Sequence, residues 1–209
     1  SVPVKTALVS ALVLSRTSLA IAADSRSKGG ITETHVREQY MNPETNTQET
    51  DTQAQSSKLP VAIVMGDSIC ISGYAPFVKE RLKGEVDVRI GTCLSSKLTL
   101  EHHIDNTLRH HLGDGKADVI HFNCGIWDTW LQNFDVNAGR MVSDRIKGKR
   151  MGLPADYERN LREIVKILKG RTDRLVWGTI TPIPFGTAAH HQGDAYLYNK
   201  VAEVVMKEN

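Results

Sequence analysis

The stretch VAIVMGDSICISGY, Val61–Tyr74, decides how this chain is read. Five residues suited to a buried strand, Val61–Met65, run directly into Gly66, Asp67, Ser68 and Ile69, where apolar sequence stops and polar chemistry begins. Beyond it, short β-rich runs alternate with helical patterns. VAIVM (61–65) is followed by APFVKERLKG (75–84), VDVRI (86–90) and a helical LTLEHHIDNTLRHHLG (98–113). ADVIHFNCG (117–125), PADYERNLREIVKILKG (154–170), RLVWGTI (174–180) and GDAYLYNKVAEVVMKEN (193–209) continue the alternation. Strand followed by helix, repeatedly, predicts an α/β fold with a parallel sheet and helices on both faces. In the helix from Tyr157, Leu161, Ile164, Val165 and Leu168 fall at i, i+3, i+4 and i+7, one apolar stripe toward the sheet. Residues 126–153 carry no such pattern and are expected to form a long irregular connection.

Open α/β sheets place their sites at the carboxyl ends of strands, and Ser68 stands at such an end. A glycine before it lets the chain turn sharply, and amides of the next helical turn can bond an anion. A hydroxyl there can act as nucleophile while the Ser68 amide faces a developing oxyanion. Gly-Asp-Ser alone is a weak signal, since turns favour all three residue types; the strand before it and the helix after it give it weight.

GDSI behind the first strand resembles the first block of the SGNH, or GDSL-type, hydrolases, a family of esterases and acetylesterases. VIHFNCGIWD (119–128) looks like the family's third block in its bacterial form H-F-N-x-G-L-x-D, and TITPIPFG and the terminal GDAYLYNKVAEVVMKEN look like the same branch. The resemblance runs from about Val61 to Asn209 and implies a three-layer, flavodoxin-like α/β/α fold. It implies that Ser68 is the nucleophile with its amide as one oxyanion donor, and that Asn123 or the Gly125 turn supplies another. Trp127 stands where the common G-x-N-D form has its asparagine, and Leu94 stands at the second-block glycine whose amide completes the oxyanion hole. Asp67, Trp127 and Asp128 are the expected substrate contacts.

A serine needs an adjacent base that is itself oriented by a third group. The family takes both from a D-x-x-H block after a fifth strand, and this chain stops before it, so the last strand and helix are expected to be missing. Asp118 and His121 match D-x-x-H inside a strand, where they point to opposite faces. His190 and His191 lie in the loop after the fourth strand, on the same rim as Ser68, and also read as solvated surface. His102, His103, His110 and His111 lie on a helix, and no set has metal-ligand spacing. No metal or cofactor is expected.

At 209 residues, with 24% charged residues and a net charge of +2, the chain suits one domain without the concentrated basic surface of a nucleic-acid binder. Three cysteines, Cys70, Cys93 and Cys124, read as small buried thiols, with one disulfide possible in an oxidising compartment. Residues 1–23, with Lys5, an apolar run and Ala20-Ile21-Ala22, look like a secretory signal, and so predict a secreted or periplasmic protein. The apolar run is too short to span a bilayer. Residues 24–58 are polar and aperiodic and read as a disordered linker, with the hydrolase-like domain at 59–209. The expected activity is hydrolysis of a small-molecule or carbohydrate ester through an acyl-enzyme at Ser68. An acyltransferase and a non-catalytic carbohydrate-binding relative are the alternatives.

Overall fold

Strand β1, Val61–Gly66, is buried along its whole length and lies inside a parallel sheet in the computed structural model, which describes residues 58–209. The leader-like segment and all but the last residue of the polar stretch lie outside the described residues. On one side β1 pairs with β2, Asp87–Thr92, and on the other with β3, Val119–Asn123, which pairs with the later strand β7, Leu175–Gly178. The order β2-β1-β3-β7 is that of a doubly wound, flavodoxin-like sheet over these four strands. A central strand covered on both faces needs a continuous apolar run, which is why Val61–Met65 does not alternate. Gly66 pairs with Thr92 and Asn123 with Gly178, so the carboxyl ends of the strands finish nearly level.

Helix α1, Ala75–Arg81, follows a π-helical turn at Cys70–Tyr74 and packs on β2. The expected helix at 98–113 begins earlier. Ser95 caps α2, Ser96–Leu98, by accepting from the Leu98 amide, and a π turn, Thr99–His103, leads into α3, Ile104–Leu112. Helices α4, Pro154–Lys169, and α5, Asp194–Lys207, complete the set. The stripe Leu161, Ile164, Val165 and Leu168 is buried against Ile63, Met65, Ile120 and Phe122, together with Leu108 of α3 and Tyr198 and Val205 of α5. Among the described residues, no helix is long and apolar enough to cross a membrane.

The connection after β3 differs from expectation. It is a three-stranded antiparallel sheet, order β5-β4-β6, formed by β4, Leu131–Asp135, β5, Arg140–Ser143, and β6, Lys149–Arg150. Of these strand residues only Leu131 is buried, so the alternation that marks a half-buried strand is missing. The signal that was present lies in the turns, DVNAG (135–139) and DRIKG (144–148), each an aspartate with glycine four residues on. Asp135 Oδ1 accepts from the amides of Asn137 and Ala138, and Asp144 Oδ1 from those of Ile146 and Lys147, the side-chain turns that aspartate favours.

Candidate active site

At the end of β1 the chain folds back on itself at Gly66, where a Cβ would lie 2.5 Å from Cys70 Cβ. Asp67 makes the turn. It is 3% exposed, its Oδ1 accepts from the amides of Ile69 (2.8 Å) and Cys70 (3.3 Å), and its carbonyl accepts from Ile71 (2.9 Å). Burial pushes its carboxyl above the usual carboxylate range, against the pull of those two amides. Asp67 is therefore an internal cap and not the substrate contact the sequence suggested. It leaves Ser68 exposed at the first residue of the helical turn that follows β1.

The loop after β2 is tied to the same point, since the Cys93 amide donates to the Gly66 carbonyl (2.8 Å). Leu94 follows, partly exposed, and its carbonyl accepts from Cys124 Sγ (3.6 Å). No described residue other than glycine has a positive φ, so Leu94 carries no left-handed backbone strain. Cys70, Cys93 and Cys124 are all buried free thiols, and Thr99 Oγ1 donates to Cys93 Sγ (3.5 Å). Burial pushes the Cys70 thiol up to about 12, so it is protonated at neutral pH.

Asn123 ends β3 and is 5% exposed. Its Nδ2 donates to the carbonyls of Gly178 (3.3 Å) and Thr179 (2.9 Å), while Oδ1 is buried with no partner among the described residues. Exchanging the amide atoms would set an oxygen against two carbonyl oxygens, so the assignment is forced by its neighbours. With both N–H bonds committed, what Asn123 can still offer is an acceptor, and an acceptor cannot stabilise an oxyanion. The oxyanion role expected of it is therefore not the one its geometry serves.

Gly125 has φ 131°, and a Cβ there would lie 2.6 Å from Ile180 Cδ1 and 3.0 Å from Tyr157 Oη, whose hydroxyl donates to the Cys124 carbonyl. Trp127 is half-buried and meets Trp130 edge to face, with centroids 5.3 Å apart. Asp128 turns inward. It is 1% exposed and accepts from the Ser96 amide (2.8 Å) and Ser96 Oγ (2.6 Å), tying the loop after β3 to the start of α2. A group so buried does not touch substrate, which corrects the third expected contact.

Burial raises the Asp128 carboxyl to about 6 despite the Ser96 bonds. Its folded value exceeds its ordinary 3.8, so the folded state holds the proton longer, and the stability this provides below about pH 4 is lost as pH rises to about 6. The loss amounts to about 3 kcal/mol. Asp128→Asn keeps one acceptor and removes the titration. Urea unfolding at successive pH values is expected to show that downward slope in the parent and not in the variant; parallel curves would refute it.

The histidines fall in different places. Asp118 Oδ2 accepts from the Val61 amide (2.8 Å), closing the sheet at the start of β1, the end opposite Ser68. His121 is 8% exposed and meets Tyr74 edge to face at 5.7 Å. His111 Nε2 lies 2.9 Å from the Ile90 carbonyl oxygen. His190 is better placed for chemistry, because its Nδ1 lies 2.8 Å from Thr129 Oγ1, whose hydroxyl donates to the Ile126 carbonyl (2.8 Å). The Ala189 carbonyl accepts from the Leu131 amide (2.7 Å), holding that loop beside the loop after β3. Burial lowers the His190 pKa. Among the described residues no histidine is hydrogen-bonded to Ser68. No group of three or more metal-ligating side chains is present among them.

This is the arrangement of an α/β protein with its candidate site on the carboxyl rim of a parallel sheet. No protein-family model matches the sequence, and no curated protein matches it. Among solved structures, the chain is similar to an alpha/beta hydrolase enzyme from the metagenome of Lake Arreo, Spain. The identity is 16% over 71% of this chain and 73% of that one, with a TM-score of 0.50. An acetylxylan esterase from Geobacillus stearothermophilus, solved as a catalytic mutant, matches at 17% identity over 71% of this chain and 72% of that one, with a TM-score of 0.45. At such identities the likeness concerns the fold.

Proposed function

We propose that the chain is a serine ester hydrolase of the SGNH, or GDSL-type, class. The observation that carries this reading is the turn at Gly66-Asp67-Ser68, in which a buried aspartate caps the next amides and leaves Ser68 exposed at the end of the central strand. Ser68 Oγ attacks the carbonyl carbon of an ester and gives its proton to a base. The alcohol leaves, and water then attacks the acyl carbon, releasing the acid and restoring the serine. The Ser68 amide and the Leu94 amide are the donors this reading assigns to the oxyanion. Acetyl or another short acyl group on a carbohydrate is the proposed substrate, and the leader-like segment supports export.

A non-catalytic carbohydrate-binding relative is the second reading. It is favoured by the Asn123 amide, committed to two carbonyls, and by the lack of a histidine bonded to Ser68 among the described residues. A fluorophosphonate probe separates the two, because it labels only an activated serine. Mass spectrometry is expected to find the adduct on the peptide containing Ser68. A chain that stays unlabelled while it binds oligosaccharide belongs to the second reading.

A further inference from the structure

We propose that the outward face of the β5-β4-β6 sheet is a binding platform for an acidic polysaccharide chain, continuous with the rim that carries Ser68. Strand register defines the two faces. Leu131, Asn133, Asp135, Arg140, Val142 and Arg150 share one face, which is turned inward by the buried Leu131 and by the Arg150 to Asp194 ion pair (2.9 Å). Gln132, Phe134, Met141, Ser143 and Lys149 share the other, where the cross-strand pair Phe134 and Met141 remains 55% and 45% exposed. Trp130 Nε1 donates to Ser143 Oγ (2.8 Å), which seats its indole beside that face, and Trp127 packs on Trp130. Aromatic surface therefore runs from the loop after β3 outward along β4, with polar side chains between the rings.

This alternation suits sugars. The C–H face of a pyranose stacks on an aromatic ring while its hydroxyls bond the polar groups alongside. Charge then selects the kind of sugar. With Asp135, Arg140 and Arg150 on the inward face, the outward face and the 144–148 turn beside it hold Arg145, Lys147 and Lys149 against Asp144, a local excess of two. Both aspartates are occupied by turn amides, Asp144 also accepting from Asn133. Arg145, Lys147 and Lys149 form no ion pair among the described residues. Cations left unpaired beside stacking surface complement the carboxylates of a uronic-acid polymer. A lipid bilayer fits less well, since Gln132, Ser143 and Lys149 interrupt the apolar side chains. The most exposed aliphatics, Val136 at 83% and Ile146 at 90%, lie in separate turns and form no common front.

The choice of a glycan rests on the ester-hydrolase reading, so binding is measured in a Ser68→Ala chain, where turnover plays no part. Calorimetric titration uses a galacturonate oligomer, a neutral xylose oligomer and phosphatidylglycerol vesicles. The galacturonate oligomer is expected to bind about ten-fold more tightly than the neutral one, with affinity falling as salt rises. Lys147→Gln with Lys149→Gln, and separately Phe134→Ala with Met141→Ala, are each expected to weaken it about ten-fold. Equal affinity for both oligomers, no binding of either, unchanged binding in both double variants that retain the parent melting temperature, or vesicle binding that galacturonate does not displace would each overturn the proposal. Loss of the hydrolase reading would instead show as an absence of ester turnover with galacturonate binding intact.

Discussion

Ser68→Ala is expected to lower kcat/KM for a small activated ester such as para-nitrophenyl acetate by about 10³-fold or more, the scale seen when a serine nucleophile is removed. The substitution deletes Oγ and little else. The turn is held by Asp67 through the amides of Ile69 and Cys70, and by the Cys93 amide on the Gly66 carbonyl, none of which involves the Ser68 side chain. Ser68 is exposed, so no core contact is lost and the melting temperature is expected to stay within a degree or so of the parent. Kinetics and melting measured together separate chemistry from folding. Equal turnover by parent and variant would place any esterase activity away from Ser68.

Gly125→Ala is expected to cost about 3–5 kcal/mol. Two penalties coincide there. A φ of 131° lies where side chains rarely go, and the added Cβ would sit 2.6 Å from Ile180 Cδ1 and 3.1 Å from Tyr157 Cε2. Tyr157 does not yield easily, because it is fully buried and bonded to the Cys124 carbonyl. Ile180→Val removes the nearest of those atoms. The double variant should therefore recover part of the loss, leaving the φ penalty, and the two changes should be non-additive. Urea midpoints of the two single variants and the double variant test this. A cost under 1 kcal/mol for Gly125→Ala, or strict additivity, would contradict the account.

What could be read from the sequence depended on whether a residue's role is set locally. The β1 run and the Leu161 to Leu168 stripe are periodic patterns that neighbouring residues complete, and the structure contains both. The place of Ser68 at a strand end followed from the same local grammar. Asn123 and Asp128 resisted the same treatment, because a polar side chain becomes an internal tie only when a distant partner arrives. For Asn123 the partners are Gly178 and Thr179, at and just past the end of β7, and for Asp128 the partner is Ser96, at the start of α2. The small antiparallel sheet was hidden for the opposite reason: its strands are too exposed to show alternation, and only its aspartate-to-glycine turns announce it.

The Thr129 hydroxyl has one hydrogen, and the Ile126 carbonyl takes it. Toward His190 Nδ1, 2.8 Å away, that oxygen can only accept, so the imidazole carries its proton on Nδ1 and keeps the Nε2 lone pair. Burial, by lowering the pKa, keeps the ring neutral at pH 7. Thr129, the last residue of the turn that Ile126 opens, thereby fixes which tautomer the loop after β7 presents: one whose Nε2 is left unprotonated.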